Sequence, residues 1–381
     1  MNPSNRRPGG AELLDAFLEW QIAARHYPGA VVHVERDGKV LASRAAGVID
    51  PETGAPMSEN AVFRIASMTK PIVSTLALML VEQGRLGLDE PVARWLPELA
   101  GLKLASGKAP ARQPTVRDLM RHTSGFAYVG EIRDPALRAA AAKADLDGKL
   151  PTLTPAEVLA TLAALPLACE PGTQFLYGFS TDVLGLVVER VTGARLGDAL
   201  REALFDPLGM NDTGFSVPET AAGRFARAHA EDRLWHGFSD KYALGQRMGT
   251  PMQSGGGGLV STVADYARFA RMLVGGGQAA GRRFLSEATL QQMFANQLDA
   301  LNPGPVGFTG PGFGFGLGLA VRLDWGPAAI PAPAGELTWS GVTGTGLYLR
   351  PADRWFAIQF SCNNASRLMA RFEFRRAASL P

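Results

Sequence analysis

Strand-like segments lie near the two ends of this 381-residue chain, and almost none lie between them. Near the start, residues 30–36 and 39–44 are rich in aliphatic side chains and flank Asp37-Gly38, a strong hairpin signal. Near the end, residues 316–323, 337–349 and 355–361 read as three more strands. From Leu88 to Phe238 the apolar residues recur at helical spacing instead, in 115–121, 155–165, 180–192 and 196–205. Turn-rich pieces such as Glu170-Pro171-Gly172 separate them. Two sets of strands so far apart must meet in space to bury their apolar faces. The predicted fold is therefore α+β: an antiparallel sheet of five or more strands, built from both chain ends, with helices at 11–25, 262–273, 286–296 and 367–378 on its faces. A mainly helical domain is inserted. The predicted division is 1–87 with 239–381 for the sheet domain, and 88–238 for the helical one.

Composition allows this and narrows the partners. With 46% hydrophobic residues the chain can build one large or two ordinary cores. A net charge of +2 without long charged blocks favours neither nucleic acid nor an anionic membrane. The densest basic stripe, Arg367, Arg371 and Arg375, reads as a solvated helix face. Cys169 and Cys362 form no C-x-x-C pair and read as buried free thiols of a reducing compartment. The first ten residues are polar, so no secretory signal is expected; no apolar run is long enough to span a bilayer. The expected location is the cytoplasm. The five histidines show no metal-ligand spacing, so neither metal nor cofactor is expected.

The chemistry concentrates in Phe63-Arg64-Ile65-Ala66-Ser67-Met68-Thr69-Lys70-Pro71. A helix is predicted to start here and to run through Ile72, Leu76, Met79 and Leu80 to stop signals at Gly84 and Gly87. Pro71 fits only in its first turn. That places Ser67 at the helix N-terminus, where unpaired N–H groups and the helix dipole favour negative charge on its oxygen. Lys70, three residues on, falls on the same face and can act on the serine as a base. Roughly 0.3 chance matches to Ser-x-x-Lys are expected in a chain of this composition, so the spacing needs company.

That company comes from two later segments. Tyr177 stands in a loop just before the predicted helix 180–192, where its phenol can relay a proton or its ring can simply pack under the helix end. Trp339-Ser340-Gly341-Val342-Thr343-Gly344 lies in a strand-like run, whose glycines admit a close substrate approach and whose edge N–H can face an oxyanion; the other reading is a strand bulge with a core tryptophan. His122 reads as part of a structural turn after a helix. The glycines at 255–258 suggest a phosphate cradle, but the chain contains no Gly-x-Gly-x-x-Gly, and the stretch 101–108 lacks P-loop spacing. There is no Gly-x-Ser-x-Gly elbow.

With Ser67-Met68-Thr69-Lys70, Tyr177 and Trp339-Ser340-Gly341 in that order, the chain resembles the serine β-lactamase and penicillin-binding-protein superfamily. It looks most like the family VIII carboxylesterases, which share the class C β-lactamase fold. The similarity runs over about residues 29–364 and includes 63–70, 119–125, Pro207-Leu208-Gly209-Met210 and 256–269. The resemblance implies Ser67 as nucleophile, Lys70 and Tyr177 as general base and acid, and the N–H groups of Ser67 and Val342 as oxyanion hole. Trp339, Tyr128, Gly341 and Phe179 are the expected substrate-binding residues. Two departures bear on substrate. No lysine follows Lys241 and no histidine follows His236, so the Lys-Thr-Gly or His-Thr-Gly of penicillin-recognising members is absent and Trp339 stands in its place. Phe179 replaces the asparagine of Tyr-x-Asn. These changes suit hydrolysis of a small, fairly apolar carboxylic ester. Acyl transfer, amide hydrolysis, weak β-lactamase activity and a non-catalytic assembly role are the alternatives.

Overall fold

The computed structural model describes residues 10–217, 219–232, 251–298, 304–324, 327, 332–363 and 366–379. From the N-terminus, the helix Gly10–Ala23 leads into β1 (Gly29–Arg36), β2 (Lys39–Asp50), β3 (Ala55–Pro56) and β4 (Phe63–Arg64). The helix Thr69–Glu82 follows. Late in the chain come β5 (Val260–Ser261), the helix Val263–Val274, β6 (Gln278–Ala279), β7 (Arg282–Arg283), β8 (Phe313–Phe315), β9 (Ala320–Arg322), β10 (Leu337–Ser340), β11 (Gly346–Arg350) and β12 (Trp355–Ser361), closed by the helix Arg367–Ala378.

Eight strands form one antiparallel sheet in the order β3-β2-β1-β12-β11-β10-β9-β8. The two chain ends join at its centre, where β1 pairs with β12 from Ala30↔Ser361 to Arg36↔Trp355. The hairpin forms at Asp37-Gly38, both with positive φ (51° and 77°), as a two-residue turn matching the strand twist requires. The sheet has three strands more than the five counted from sequence. Residues 337–349 divide into β10 and β11 around a turn containing Gly344, at φ 98°; β8 lies just ahead of the run 316–323, which yields β9; and the short β3 adds to the outer edge of β2.

Side chains alternate between two cores, as the strand repeat dictates. Ala30, Val32 and Val34 of β1 and Trp355 and Ala357 of β12 meet Leu14, Phe17, Leu18 and Phe374 from the two terminal helices. Val31, Phe356, Ile358 and Phe360 face the larger core, shared with Ile72, Leu76 and Phe269. Being covered on both faces, these strands read as nearly unbroken apolar runs. The helix Thr69–Glu82 is buried at every residue from Thr69 to Leu80. A helix apolar all round belongs inside the core.

None of the eight sheet strands comes from residues 88–232. This part carries capped helices: Thr115 with Asp118 and Thr154 with Glu157 form capping boxes. It also carries a helix not foreseen from sequence, Pro135–Ala144, started by Asp134 as N-cap and Pro135. The expected boundary at 238/239 lies outside the described residues. Two of the three arginines in the stripe are not solvated, and Arg367 is half-buried. Arg371 and Arg375 are 7% and 5% exposed, and Arg375 makes a paired ion contact with Glu336 at 2.8 and 2.6 Å. Their helix packs onto the sheet, so its basic face is an inner one.

Candidate active site

Ser67 sits in a single 3-10 turn, Ala66–Met68, directly ahead of the helix Thr69–Glu82 rather than in the helix's own first turn. The reason is Ala66, a non-glycine residue held at φ 44°. That conformation costs roughly 1–2 kcal/mol for an L-residue and persists only where surroundings impose it. The surroundings are visible. β4 pairs with β5, and the Ile65 N–H donates to the Leu259 carbonyl at 3.1 Å. The Thr343 hydroxyl donates to the Arg64 carbonyl at 2.6 Å and the Thr345 hydroxyl to the Ile65 carbonyl at 3.0 Å. The Tyr266 hydroxyl donates to the Met68 carbonyl at 2.8 Å. A Cβ on Gly341 would meet the Ile65 carbonyl and the Thr345 hydroxyl. The turn between β10 and β11 thus clamps the serine's turn onto the sheet. The sequence reading missed Thr343, Thr345 and Tyr266, because their partners are backbone atoms far away in the chain.

Lys70 is 1% exposed. Its Nζ donates to Ser67 Oγ at 3.1 Å and to the Gly256 carbonyl at 2.6 Å. It also lies 4.6 Å from the centroid of the Tyr177 ring and 6.0 Å from that of Tyr128, the range of cation–π attraction. The structure thus brings Ser67, Lys70 and Tyr177 together. The Tyr177 hydroxyl is buried and has no hydrogen-bond partner among the described residues, so neither Ser67 nor Lys70 holds it. The tyrosine is fixed by rings instead: His122 at 4.6 Å, Phe308 at 4.7 Å, Trp339 at 5.3 Å and Tyr128 at 5.5 Å.

Ser67 opens into a cavity of about 360 Å³, whose lining includes Tyr128, Tyr177, Gly256, Phe308, Trp339, Gly341 and Val342. That size suits a small organic ligand. Val342 lies in the turn after β10, not in an edge strand as the sequence suggested. Phe179 does not line this cavity. It packs edge-on against Tyr128 at 4.7 Å and lines a neighbouring one of about 260 Å³ with Leu137, Leu146 and Leu162. The described residues around that cavity all belong to the mainly helical part. Phe308, unforeseen because it sits in a four-residue helix amid Gly and Pro, supplies a wall. Arg367 and Arg371 also line the cavity.

The glycines at 255–258 let the chain press against the helix Ser180–Thr192. A Cβ on Gly255 would collide with the Thr181 carbonyl, and one on Gly256 with the Asp182 carboxylate. Burial raises the pKa of Asp182, opposed by the charge of Lys70. Burial and then Lys70 hold His122 well below the usual histidine range, so the imidazole beside Tyr177 is neutral. Burial pushes the Cys169 and Cys362 thiols up to about 11 and about 12, which leaves no competing thiolate near neutral pH. No helix among the described residues is long and apolar enough to cross a membrane.

This arrangement, a half-buried serine turn bonded to a buried lysine beside an aromatic-walled cavity, can support acyl transfer through the serine. The Beta-lactamase family model matches residues 12–378. Esterase EstB of Burkholderia gladioli is 36% identical over 361 residues, covering 88% of this chain and 86% of that protein. Acyltransferase mokF of Monascus pilosus is 31% identical over 308 residues, covering 75% and 71%. Among solved structures, EstCE1, described as a hydrolase with promiscuous acyltransferase activity, superposes with a TM-score of 0.84 at 28% identity, covering 97% of this chain and 98% of the other. The chain belongs to the Beta-lactamase family and is a serine hydrolase of that superfamily.

Proposed function

We propose that the protein hydrolyses small, fairly apolar carboxylic esters through an acyl-enzyme on Ser67. The observation that carries this reading is the 3.1 Å contact between Lys70 Nζ and Ser67 Oγ at a cavity walled by Tyr128, Tyr177, Phe308 and Trp339. Ser67 Oγ attacks the ester carbonyl while Lys70 accepts its proton. The tetrahedral oxyanion lies toward the N–H groups of Ser67 and Val342. The alcohol leaves with a proton delivered through Lys70 and Tyr177, whose buried hydroxyl has no partner among the described residues and so can serve the substrate oxygen. Water then enters, the same groups remove its proton, and the acid leaves. A positioned base is worth about 10²–10⁴-fold, and one oxyanion donor about 10²–10³-fold.

Trp339 stands where penicillin-recognising members place a cation, which favours an ester over a β-lactam. The EstB relative supports the ester reading. Transfer of the acyl group to an alcohol or amine is the second reading, favoured by mokF and by EstCE1. A chain-length series of p-nitrophenyl esters beside nitrocefin tests the proposal. Short esters should turn over with a burst of nitrophenol, nitrocefin far more slowly, and Ser67→Ala should abolish both burst and turnover. Full ester turnover by Ser67→Ala would refute it. Product partition between water and added alcohol separates hydrolysis from transfer.

A further inference from the structure

Asp182 is a carboxyl at 0% exposure with no cation bonded to it among the described residues, an expensive residue to keep inside a core. It sits in the first turn of the helix Ser180–Thr192, five residues after Tyr177. Its Oδ1 accepts the Ser254 hydroxyl at 2.5 Å and the Gly256 N–H at 3.0 Å. Its Oδ2 is buried without a partner and lies against the Cα of Gly256, where no larger residue fits. On the other side of that same residue, the Gly256 carbonyl accepts from Lys70 Nζ at 2.6 Å. The Ser254 hydroxyl in turn accepts the Gly257 N–H at 3.0 Å. The carboxyl therefore grips the glycine loop at two points, and the loop grips the lysine.

We propose that Asp182 is a positioning residue for Lys70, acting through Ser254 and the backbone on both sides of Gly256 to aim the lysine's amine at Ser67. This rests on the reading of Lys70 as the base. An amine on a four-carbon stem rotates freely, and a transferable proton needs one particular direction. With one N–H committed to the Gly256 carbonyl, the remaining positions on Nζ include one facing Ser67 Oγ. The peptide unit that carries the Gly256 carbonyl also carries the Gly257 N–H, held by the Ser254 hydroxyl, and the unit before it carries the Gly256 N–H, held by Asp182; without these ties a peptide between glycines rotates with little steric resistance. Asp182 supplies one tie directly and the other through Ser254. The same helix start thus reaches Lys70 twice, with the Tyr177 ring from one side and with the Asp182–Gly256 link from the other.

Loss of the tie displaces the amine without removing any group that touches substrate. Asp182→Val should lower kcat on p-nitrophenyl acetate by about 10–100-fold with KM within about twofold. Asp182→Asn keeps an oxygen for the Ser254 and Gly256 donors and should recover most of that loss. Ser254→Ala, which removes one of the two donors to Asp182 together with the acceptor of the Gly257 N–H, should also lower kcat with KM little changed, and it serves if the valine variant fails to fold by circular dichroism. Wild-type kcat with Asp182→Val, or an asparagine variant as impaired as the valine one, would overturn the proposal, the second because it would make the charge and not the bond geometry decisive. A wild-type protein without any ester turnover would instead sink the underlying ester reading, so the two failures are distinguishable.

Discussion

His122 is 1% exposed and packs its ring 4.6 Å from that of Tyr177, with its Nδ1 buried and unpartnered. Buried neutral, it makes folding sensitive to acid. In the unfolded chain it takes a proton as pH falls through about 6.5, whereas in the folded chain burial and Lys70 keep it unprotonated to much lower pH. The stability it supports is thus complete above pH 6.5 and declines as pH falls below it, by up to about 1.4 kcal/mol per pH unit for one proton. Urea unfolding at pH 6.5 and 5.5 should show wild type losing about 1 kcal/mol more than His122→Gln over that interval. Equal losses would mean His122 does not stay neutral. From sequence the residue read as part of a turn, and its φ of 56° agrees with that; its place under Tyr177 depends on Phe175 and Phe315 as well, which sequence spacing cannot bring together.

At the scale of elements, the turn joining β10 and β11 shapes the site as much as the serine's helix does. Its threonine hydroxyls hold the backbone on which Ala66 is strained. Thr345→Val removes one bond to a buried carbonyl and should cost about 1–2 kcal/mol of stability. It should also lower kcat more than it raises KM; unchanged kcat would show that the turn does not set the position of Ser67. The parts of the site legible in the sequence were those fixed by local geometry. Ser67 and Lys70 are neighbours because helical spacing makes them so, and the Asp37-Gly38 hairpin follows from its own dihedral needs. What stayed hidden depended on contacts across the chain. The helix Pro135–Ala144 buries only Leu137 and Ala141, too few for an apolar stripe, so only its Asp134-Pro135 start could have shown it. The burial of Arg371 and Arg375 reverses the meaning of a charged stripe, and nothing within their helix says that a sheet lies against it. Phe179 is placed by the Tyr-x-Asn spacing from Tyr177, but two residues along the loop its ring lines another cavity.

At the scale of the whole molecule, no single segment holds the site. The central helix gives Lys70 and the turn before it Ser67, the mainly helical part gives Tyr177 and Asp182, the glycine loop gives Gly256, the sheet gives Trp339, and the turn after β10 gives Val342. The β1–β12 junction, where the chain's ends meet, keeps these parts in register. Such a site forms only when the distant pieces have docked, so its reactivity reports the intact fold as well as the chemistry. Intact-mass analysis and peptide mapping after reaction with a fluorophosphonate test this most directly. The account predicts one adduct per chain, on the peptide containing Ser67, absent from Ser67→Ala and from urea-unfolded protein; an adduct on any other serine, or one that persists in Ser67→Ala, would contradict it.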